Sequence, residues 1–453
     1  MKIFLRCILV LTCLLAQNTG VMAQSTQVSA EYALNLAERA LSDDKPEVTV
    51  ATAQALLRCI PDNYQALILL SLAQSRLENR SDATRAAIRA FRVARTDPQK
   101  LQASRMAGAG HFKSGHFSRA EWWLRRAANF APTPRDSAIV KREFETIRRE
   151  NPLTVQLSFS SAPSSNVNSG SNENVFNIGD LELLLSADSL ALSGIEYAAS
   201  ANFGYRLSQS KDHLTSAGFL IYGRTYSLSA SSKASVPQVS GSDYALVATE
   251  VSLNHRRNVF ANLGTTGISA HIGQNWFGGD PLWRYGRIAL SQDFAINQRT
   301  SASLRGFVET EVALDDVQPD TLVYDIEASF GRRLPNRDVV RFSLGARTAD
   351  TDFDTSDYTS LRGNLQYDFY KRILDTRLSL ALGIGKKDYE EFALTIDGRH
   401  DKSISIGATA VFENISYYGF SPSLTLQARK TNSNFSRYST DQITARLGIQ
   451  SNF

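Results

Sequence analysis

The side chains of this sequence that could do chemistry are scattered, and their spacing excludes more reactions than it supports. Six histidines occur, His111, His116, His213, His255, His271 and His400. His111 and His116 stand five apart across Gly115 and miss the i, i+4 spacing that sets two metal ligands on one helix face. The sequence has no G-x-S-x-G elbow, no phosphate-binding P-loop and no C-x-x-C pair. No enzymatic activity, cofactor or metal site is therefore expected. What recurs instead is charge of both signs at alternate positions of apolar segments: Arg305, Glu309, Glu311, Asp325, Glu327, Arg341, Arg347, Arg362, Asp368, Arg377, Arg429 and Arg446. Charged groups at period two, facing away from an apolar side, are the chemistry of a water-filled interior.

The elements that must carry this pattern are strands. After Asn151-Pro152 the apolar period is two for the rest of the chain. Ile443, Ala445, Leu447 and Ile449 alternate with Thr444, Arg446, Gly448 and Gln450; Leu378, Leu380, Leu382 and Ile384 alternate with Arg377 and Ser379; Val340, Phe342 and Leu344 alternate with Arg341 and Ser343. Segments of about 10 to 14 residues are long enough to cross a bilayer at a tilt. Short links are expected at Ser208 to Asp212, Arg256 to Phe260, Ile296 to Arg299, Leu334 to Asp338 and Lys371 to Asp375. Longer polar links are expected at Ser160 to about Ser189, Ser229 to Ser242, Asn275 to Pro281, Thr348 to Asp357, Lys386 to Asp401 and Lys430 to Thr440. Short and long links alternate as in an up-and-down membrane barrel, because in hydrocarbon only a closed sheet pairs every backbone group of its strands. The count is fourteen strands, with sixteen the alternative if Asn174 to Ser186 adds a pair; parity places that segment in the first external loop. Trp276 and Trp283, flanking Gly278-Gly279-Asp280-Pro281, read as an external interfacial belt, and Phe453 as an outward-facing terminal assembly signal.

Before the strands, Ser29 to Arg149 has helical periodicity, with breaks near Asp43-Asp44, Pro61, Arg80-Ser81, Pro98, Gly115 and Pro132 to Pro134, giving about seven helices. Ala86 and Ala120, Ala90 and Leu124, Val93 and Ala127, and Pro98 and Pro132 are each separated by 34 residues, the tetratricopeptide (TPR) period. Small residues let paired helices approach, and stacking buries faces that one unit leaves wet. Three units and a polar cap, Pro134 to Arg149, are expected. Of Trp122-Trp123, one ring is assigned to the core and the other to binding. The fold class is thus an α + β multidomain chain: residues 24–150 a TPR-like α-helical repeat domain, residues 151–453 an antiparallel transmembrane β-barrel.

Composition agrees. The 453 residues are 43% hydrophobic and 21% charged, neither disordered nor collagenous. Residues 1–23 read as a secretory signal, with Lys2 and Arg6, an apolar stretch from Cys7 to Ala16 and Val21-Met22-Ala23 before Gln24. No later apolar run reaches the ~20 residues of a spanning helix. Cleavage would leave Cys59 alone, so no internal disulfide is expected. Residues 24–150 carry 20 basic against 14 acidic groups, and residues 151–453 carry 27 against 31. A basic periplasmic domain suits anionic headgroups or an acidic client, and equally a solvated Arg-rich surface; nucleic acid is not an expected partner of an exported chain without a binding motif.

Several motifs go beyond pattern. Asn151-Pro152-Leu153 runs to Ser161-Ala162-Pro163-Ser164-Ser165-Asn166-Val167-Asn168, a strand entering a Pro and then Asn-x-Asn; Asp188-Ser189 and Ser193-Gly194 precede the second strand; Tyr418-Gly419-Phe420-Ser421-Pro422 and Ser433-Asn434 come near the end. In these, and in repeat domain followed by barrel, the mature chain resembles the surface lipoprotein assembly modifier (Slam) family, with Pro163, Asn166 and Asn168 as the motif residues. The resemblance implies a translocon that helps lipoproteins or related clients across the outer membrane, as in type XI secretion. Outer-membrane lipids, the client, periplasmic chaperones and the barrel-assembly machinery are the partners expected, with the protein a monomer in the Gram-negative outer membrane and its repeats in the periplasm. On this reading the repeat domain captures client near Gln102, Arg105 and Phe112, with Trp123, and presents it to the lumen. A polysaccharide exporter and a general porin are the alternatives.

Overall fold

The computed structural model describes residues 29–178, 181–260, 264–315, 317–395, 397–415, 417 and 420–451. The leader, Phe453 and the Tyr418-Gly419 part of the resemblance lie outside the described residues. The chain divides into two compact units, Met1–His116 and Phe117–Phe453. The change from helix to strand falls at Asn151, as drawn from the sequence, but the division into units falls earlier, so the last two helices of the repeat region belong with the barrel.

The first unit contains α1 (Ala30–Ser42), α2 (Pro46–Cys59), α3 (Tyr64–Arg76), α4 (Arg80–Val93) and α5 (Asp97–Lys113). Their starts follow local chemistry: Ser29 and Asn63 accept backbone N–H groups of the first turn, Thr96 and Gln99 form a capping box, and Pro46 and Pro98 sit where a helix needs no amide donor. Small side chains set the spacing. Ala66, Ala90 and Ala103 are fully buried together around Leu67. Two of the buried hydroxyls bond across helices: Thr49 Oγ1 donates to the Ala37 carbonyl at 3.1 Å and Ser71 Oγ to that of Ala83 at 2.8 Å. Tyr64 Oη donates to the Gln99 carbonyl at 2.9 Å, and burial pushes its pKa up to about 12, so it stays a donor.

The second unit opens with α6 (Phe117–Ala128) and α7 (Pro134–Glu150). The helix expected to be a polar cap has one apolar edge, since Val140, Phe144 and Ile147 are buried. Its end is tied down: Asn151 Nδ2 donates to Glu121 Oε1 at 2.8 Å, the Leu153 N–H donates to Asn151 Oδ1 at 3.0 Å, and Arg206 caps the carbonyls of Arg149 and Glu150 at 2.7 and 3.0 Å.

The strands are β1 (Leu153–Ser164), β2 (Val175–Ile178), β3 (Leu181–Leu184), β4 (Gly194–Gln209), β5 (His213–Leu228), β6 (Leu246–Phe260), β7 (Gly264–Phe277), β8 (Asp280–Asn297), β9 (Thr300–Ala313), β10 (Thr321–Arg333), β11 (Val339–Thr351), β12 (Tyr358–Asp368), β13 (Arg377–Tyr389), β14 (Arg399–Val411), β15 (Phe420–Ser433) and β16 (Thr440–Ser451). Among the described residues fourteen of them close an antiparallel barrel, with β4 to β16 in chain order and β1 between β16 and β4. β2 and β3 form a separate hairpin in the first long loop, which settles the count against sixteen.

Four links differ from expectation. The stretch Arg256 to Phe260 stays in β6, and β7 starts at Gly264. Asn275 to Pro281 is not a long loop but a two-residue hairpin on Gly278 and Gly279, both at positive φ (63° and 105°), which L side chains rarely adopt. The links between β9 and β10 and between β14 and β15 are absent from the sequence reading, and with the two-residue turn before β8 the strict alternation of short and long links does not hold. Strands also run past the apolar residues that mark them, as β13 and β14 pair out to Tyr389 and Arg399. The ladder needs only backbone, whereas the apolar period marks only the lipid-facing part. Leu344, Ile384, Ile406 and Leu447 are 54–62% exposed on that outward face, a surface stable in hydrocarbon. Among the described residues no helix is long and apolar enough to cross a membrane.

One seam is thin. Among the described residues four pairs join β1 to β16: Phe159 with Ile449, Ser160 with Gly448, Ser161 with Leu447 and Ser164 with Thr444. The ladders on either side, β1 with β4 and β15 with β16, run over twelve residues each. Pro163 has no N–H to donate within this seam.

The turn between β10 and β11 is set by one carboxylate. Asp338 accepts the Tyr367 hydroxyl at 2.5 Å, the Tyr370 N–H at 2.8 Å and the Asn336 amide at 2.6 Å, and these bonds hold it below the usual carboxylate range. A depressed pKa means stability that is present above the ordinary Asp value of about 3.9 and is lost as pH falls through the lower native value. Asp338→Asn is accordingly expected to be less stable than the parent at pH 7, with the gap closing in acid. Denaturant midpoints of detergent-folded protein at pH 7 and pH 3 test this; an equal gap at both would remove the carboxylate from the explanation.

Candidate functional site in the barrel interior

Pairing carries side-chain parity around the wall. Leu304, Ala328, Leu344, Gly363 and Ile384 are successive partners on the outward face, and Arg305, Glu327, Gly345, Arg362 and Gly385 are successive partners on the inward face. The same registers place Glu309, Glu311, Asp325, Arg341, Arg347, Asp368, Arg377, Arg429 and Arg446 inward. Trp276 is on the outward face, but Trp283 pairs with Asn275 and Ala313 and is inward, because a bulge between Asn275 and Trp276 shifts the parity. The belt read from the sequence therefore keeps one of its two tryptophans.

The inward charges form networks along the wall. Asp325, with a side chain 5% exposed, accepts from Arg347 Nε at 2.9 Å and from Arg362 at 2.8 and 2.9 Å, and Arg362 also reaches Glu327 at 3.4 Å. Gly345 makes this possible: a Cβ there would lie 2.5 Å from Arg362 Cζ. A second network links Arg287 to Glu309 at 2.6 Å and to Glu250 at 3.7 Å, with Tyr285 Oη on Glu250 at 2.8 Å. Arg446 meets Glu196 at 2.8 Å, Arg377 meets Glu413 at 3.2 Å, and Arg341 pairs with Asp368. Apart from Glu413, which lies just past β14, the residues of these pairs sit on strands that are neighbours or one apart, so the pairs brace the wall rather than bridge the lumen.

Glu250, His271, Tyr285, Arg287, Glu196 and Arg399 are the interior groups that sequence reading missed. The alternation of Val247, Val251 and Leu253 with Glu250 held the signal. His271 Nδ1 donates to Glu250 Oε1 at 2.8 Å and Nε2 bonds to Ser269 Oγ at 2.9 Å, a Ser-His-Glu chain in outline. Ser269 lies mid-ladder, with β6 and β8 on either side, so its own strand offers no N–H pair at the place where an acyl oxyanion would need donors. The chain is best described as part of the wall network.

At the long-loop end the motif residues act as stitching. Asn166, 2% exposed, exchanges bonds with Gly170 at 2.8 and 2.9 Å and accepts from Gln442 at its carbonyl. Asn168 Nδ2 donates to the carbonyls of Asp188 and Leu190 at 2.9 and 2.8 Å, and Oδ1 accepts the Leu192 N–H. Pro163 is the last residue but one of β1, where it pairs with Ile195 of β4. This folded loop is joined to the one before β16 by Ser171, Val175 and Ser436 and by the Phe176 and Phe435 rings at 5.4 Å, and it packs on the loop after β5 through Val167, Leu192 and Val236. Arg399 lies between the Tyr389 and Tyr438 rings at 3.9 and 3.6 Å. One mouth of the barrel is thus lined by loops tied to one another.

Of the residues assigned to client capture, Gln102 is exposed on α5 and accepts from Tyr64 Oη at 2.9 Å, while Arg105 and Phe112 are half-buried. Trp123 is corrected: at 6% exposure it belongs to the core of the second unit, and the neighbouring Trp122, at 49%, is the exposed ring. On a helix, adjacent residues point about 100° apart, so one of two tryptophans must leave the apolar face.

The geometry defines a class: TPR-like helical repeats followed by a fourteen-stranded barrel of the membrane-spanning kind. Solved structures similar to parts of it include Acinetobacter baumannii OccAB4 (9% identity, 66% of this chain and 98% of that one, TM-score 0.34) and the TodX monoaromatic hydrocarbon channel deltaS2 mutant (10% identity, 67% and 91%, TM-score 0.36). On the helical side is the Yersinia enterocolitica type III secretion chaperone SycD with a peptide of the translocator YopD (18% identity, 28% and 98%, TM-score 0.25). No family model and no curated protein matches the chain.

Proposed function

We propose that the protein is an outer-membrane translocon that passes surface lipoproteins or related client proteins to the cell surface, with the repeat unit taking up client in the periplasm. The observation that supports this best is the joining, on one chain, of stacked helical hairpins to a barrel whose interior carries paired charges of both signs. A porin has no use for the repeats. A wet, mixed-charge wall suits an extended polypeptide better than a glycan, which would be held by rows of aromatic rings. The resemblance around Pro163, Asn166 and Asn168 points the same way. The lumen is the route, and the linked loops at its mouth are the gate. Because no nucleotide site is expected in the chain, the driving force is client folding outside or tighter binding of the exported state.

Protease shaving of intact cells with and without this protein tests the proposal. A specific protein should leave the surface yet persist inside, and removing residues 29–114 from an otherwise intact chain should reproduce that loss with the barrel still assembled. Loss of a surface glycan with proteins unchanged would replace the proposal with a polysaccharide exporter, and no change in either would leave a porin.

A further inference from the structure

The outward face of the barrel is not uniformly apolar. A groove of about 630 Å³ crosses β9 to β14, lined by Leu304, Ile326, Leu344, Leu361 and Ile384, and it ends at Lys386 and Lys402. The registers explain its shape, since large and small residues alternate across the strands: Ile326 pairs with Ala346, Ala346 with Leu361, and Leu344 with Gly363. The same row continues from Leu361 to Lys386 and from Lys386 to Lys402, so two ammonium groups stand directly opposite each other on the membrane face. Like charges in that position repel. Lys386 has Asp388 at 2.6 Å, and Asp388 is shared with His400; Lys402 has no ion pair among the described residues. Lys430, diagonal to Lys402 beside Ile404, has Asp441 at 3.8 Å. The lysines lie toward the long-loop ends of β13, β14 and β15, where the apolar band stops and headgroups begin.

We propose that this is a binding site for a phosphorylated acyl lipid of the outer leaflet, an acyl chain lying in the groove and a headgroup phosphate between Lys386 and Lys402. Two things on the surface favour lipid as the occupant. The groove is continuous with the hydrocarbon-facing band, and its one charged end is cationic at headgroup depth, where each lysine adds attraction for an anionic lipid. The site is independent of what passes through the lumen, and it needs only that the barrel spans a membrane with its long loops outside.

The test uses the full chain folded in detergent and exposed to mixed micelles of dioleoyl phosphatidic acid and phosphatidylcholine, with bound lipid counted by native mass spectrometry. Phosphatidic acid should be retained in preference. Lys386→Gln with Lys402→Gln should weaken retention about fivefold per lysine, roughly thirtyfold together. Ala346→Trp, which fills the groove and leaves the lysines, should reduce it too. Heat-modifiable gel migration checks that each variant still forms the barrel. Equal retention of both lipids, unchanged retention in the double lysine variant, or displacement by inorganic phosphate alone would overturn the proposal. Cross-linking of a photoactivatable phosphatidic acid should fall on β11 to β14, and labelling spread evenly around the barrel would overturn it as well.

Discussion

Replacing both arginines that face Asp325, as Arg347→Met with Arg362→Met, is expected to lower barrel stability by about 3–5 kcal/mol, the cost of leaving a buried charge without its partner. The carboxylate is 5% exposed, and both its oxygens are taken by these two guanidinium groups at 2.8 to 2.9 Å. The arginines are about one-third exposed to the lumen, so either of them alone tolerates loss of its partner better than Asp325 does. Arg362→Met by itself should therefore cost clearly less, and adding Asp325→Asn to the double variant should restore most of the loss, since a neutral amide needs no cation. Gly345→Val should copy the Arg362 effect without touching a charge, because a side chain there occupies the place of the guanidinium. Urea midpoints of protein folded into lipid vesicles give the comparison. A loss under about 1 kcal/mol for the double variant would mean that the pair behaves as a surface pair in bulk water and does not brace the wall.

How far this wall could be read from the sequence depends on which residues recur. Leu344 and Arg341 sit in a strand whose alternation is clean, so both face and register follow from the period, and every charge named between Arg305 and Arg446 falls on an inward position. Where Gly or Pro interrupts the period, reading fails for a physical reason. Gly278-Gly279 joins two strands in the tightest way the backbone allows, yet with Asp280 and Pro281 it has the composition of a loop. The bulge beside Trp276 flips Trp283 inward, and a flip of this kind leaves no trace in composition. The helices were legible by a different route, since an exact 34-residue spacing is blind to such local irregularity. What it did not convey is that α6 and α7 belong to the same compact unit as the barrel. Tertiary burial, here of Trp123 against the exposed Trp122, decides that, and periodicity in a short helix leaves two adjacent tryptophans undistinguished. The paired asparagines had a signal as a motif and none as to role: only the structure gives their bonds to Gly170, Asp188 and Leu190, which make them a scaffold for the loop.

A disulfide placed across the thin seam separates the route through the lumen from an escape between strands. Ser160 and Gly448 are direct partners, and a Cβ built on Gly448 lies 3.8 Å from that of Ser160, inside the range that a disulfide requires. The nearest obstacle is Ser423 Oγ at 3.1 Å, a hydroxyl that can rotate or be removed as Ser423→Ala. With Cys59 changed to Ser, the pair Ser160→Cys and Gly448→Cys should oxidise on export and shift the unfolded band on a non-reducing gel. It closes a loop that encloses nearly the whole barrel, so the chain-entropy account allows up to about 5–6 kcal/mol, seen as resistance to heat or urea that reductant abolishes. The functional expectation is the opposite of the structural one. A client that travels through the lumen needs no break between β1 and β16, so the surface protein identified by shaving should be delivered equally well by the oxidised and the reduced forms. With four backbone pairs among the described residues and a proline in β1, this seam has fewer ladder bonds than its neighbours to hold it shut. If delivery stops on oxidation and returns with reductant, the seam opens in every transport cycle and the lumen is not the path. The two outcomes exclude each other because the oxidised and reduced forms of the same variant differ only in the bridge, between two positions that are both small and both inward.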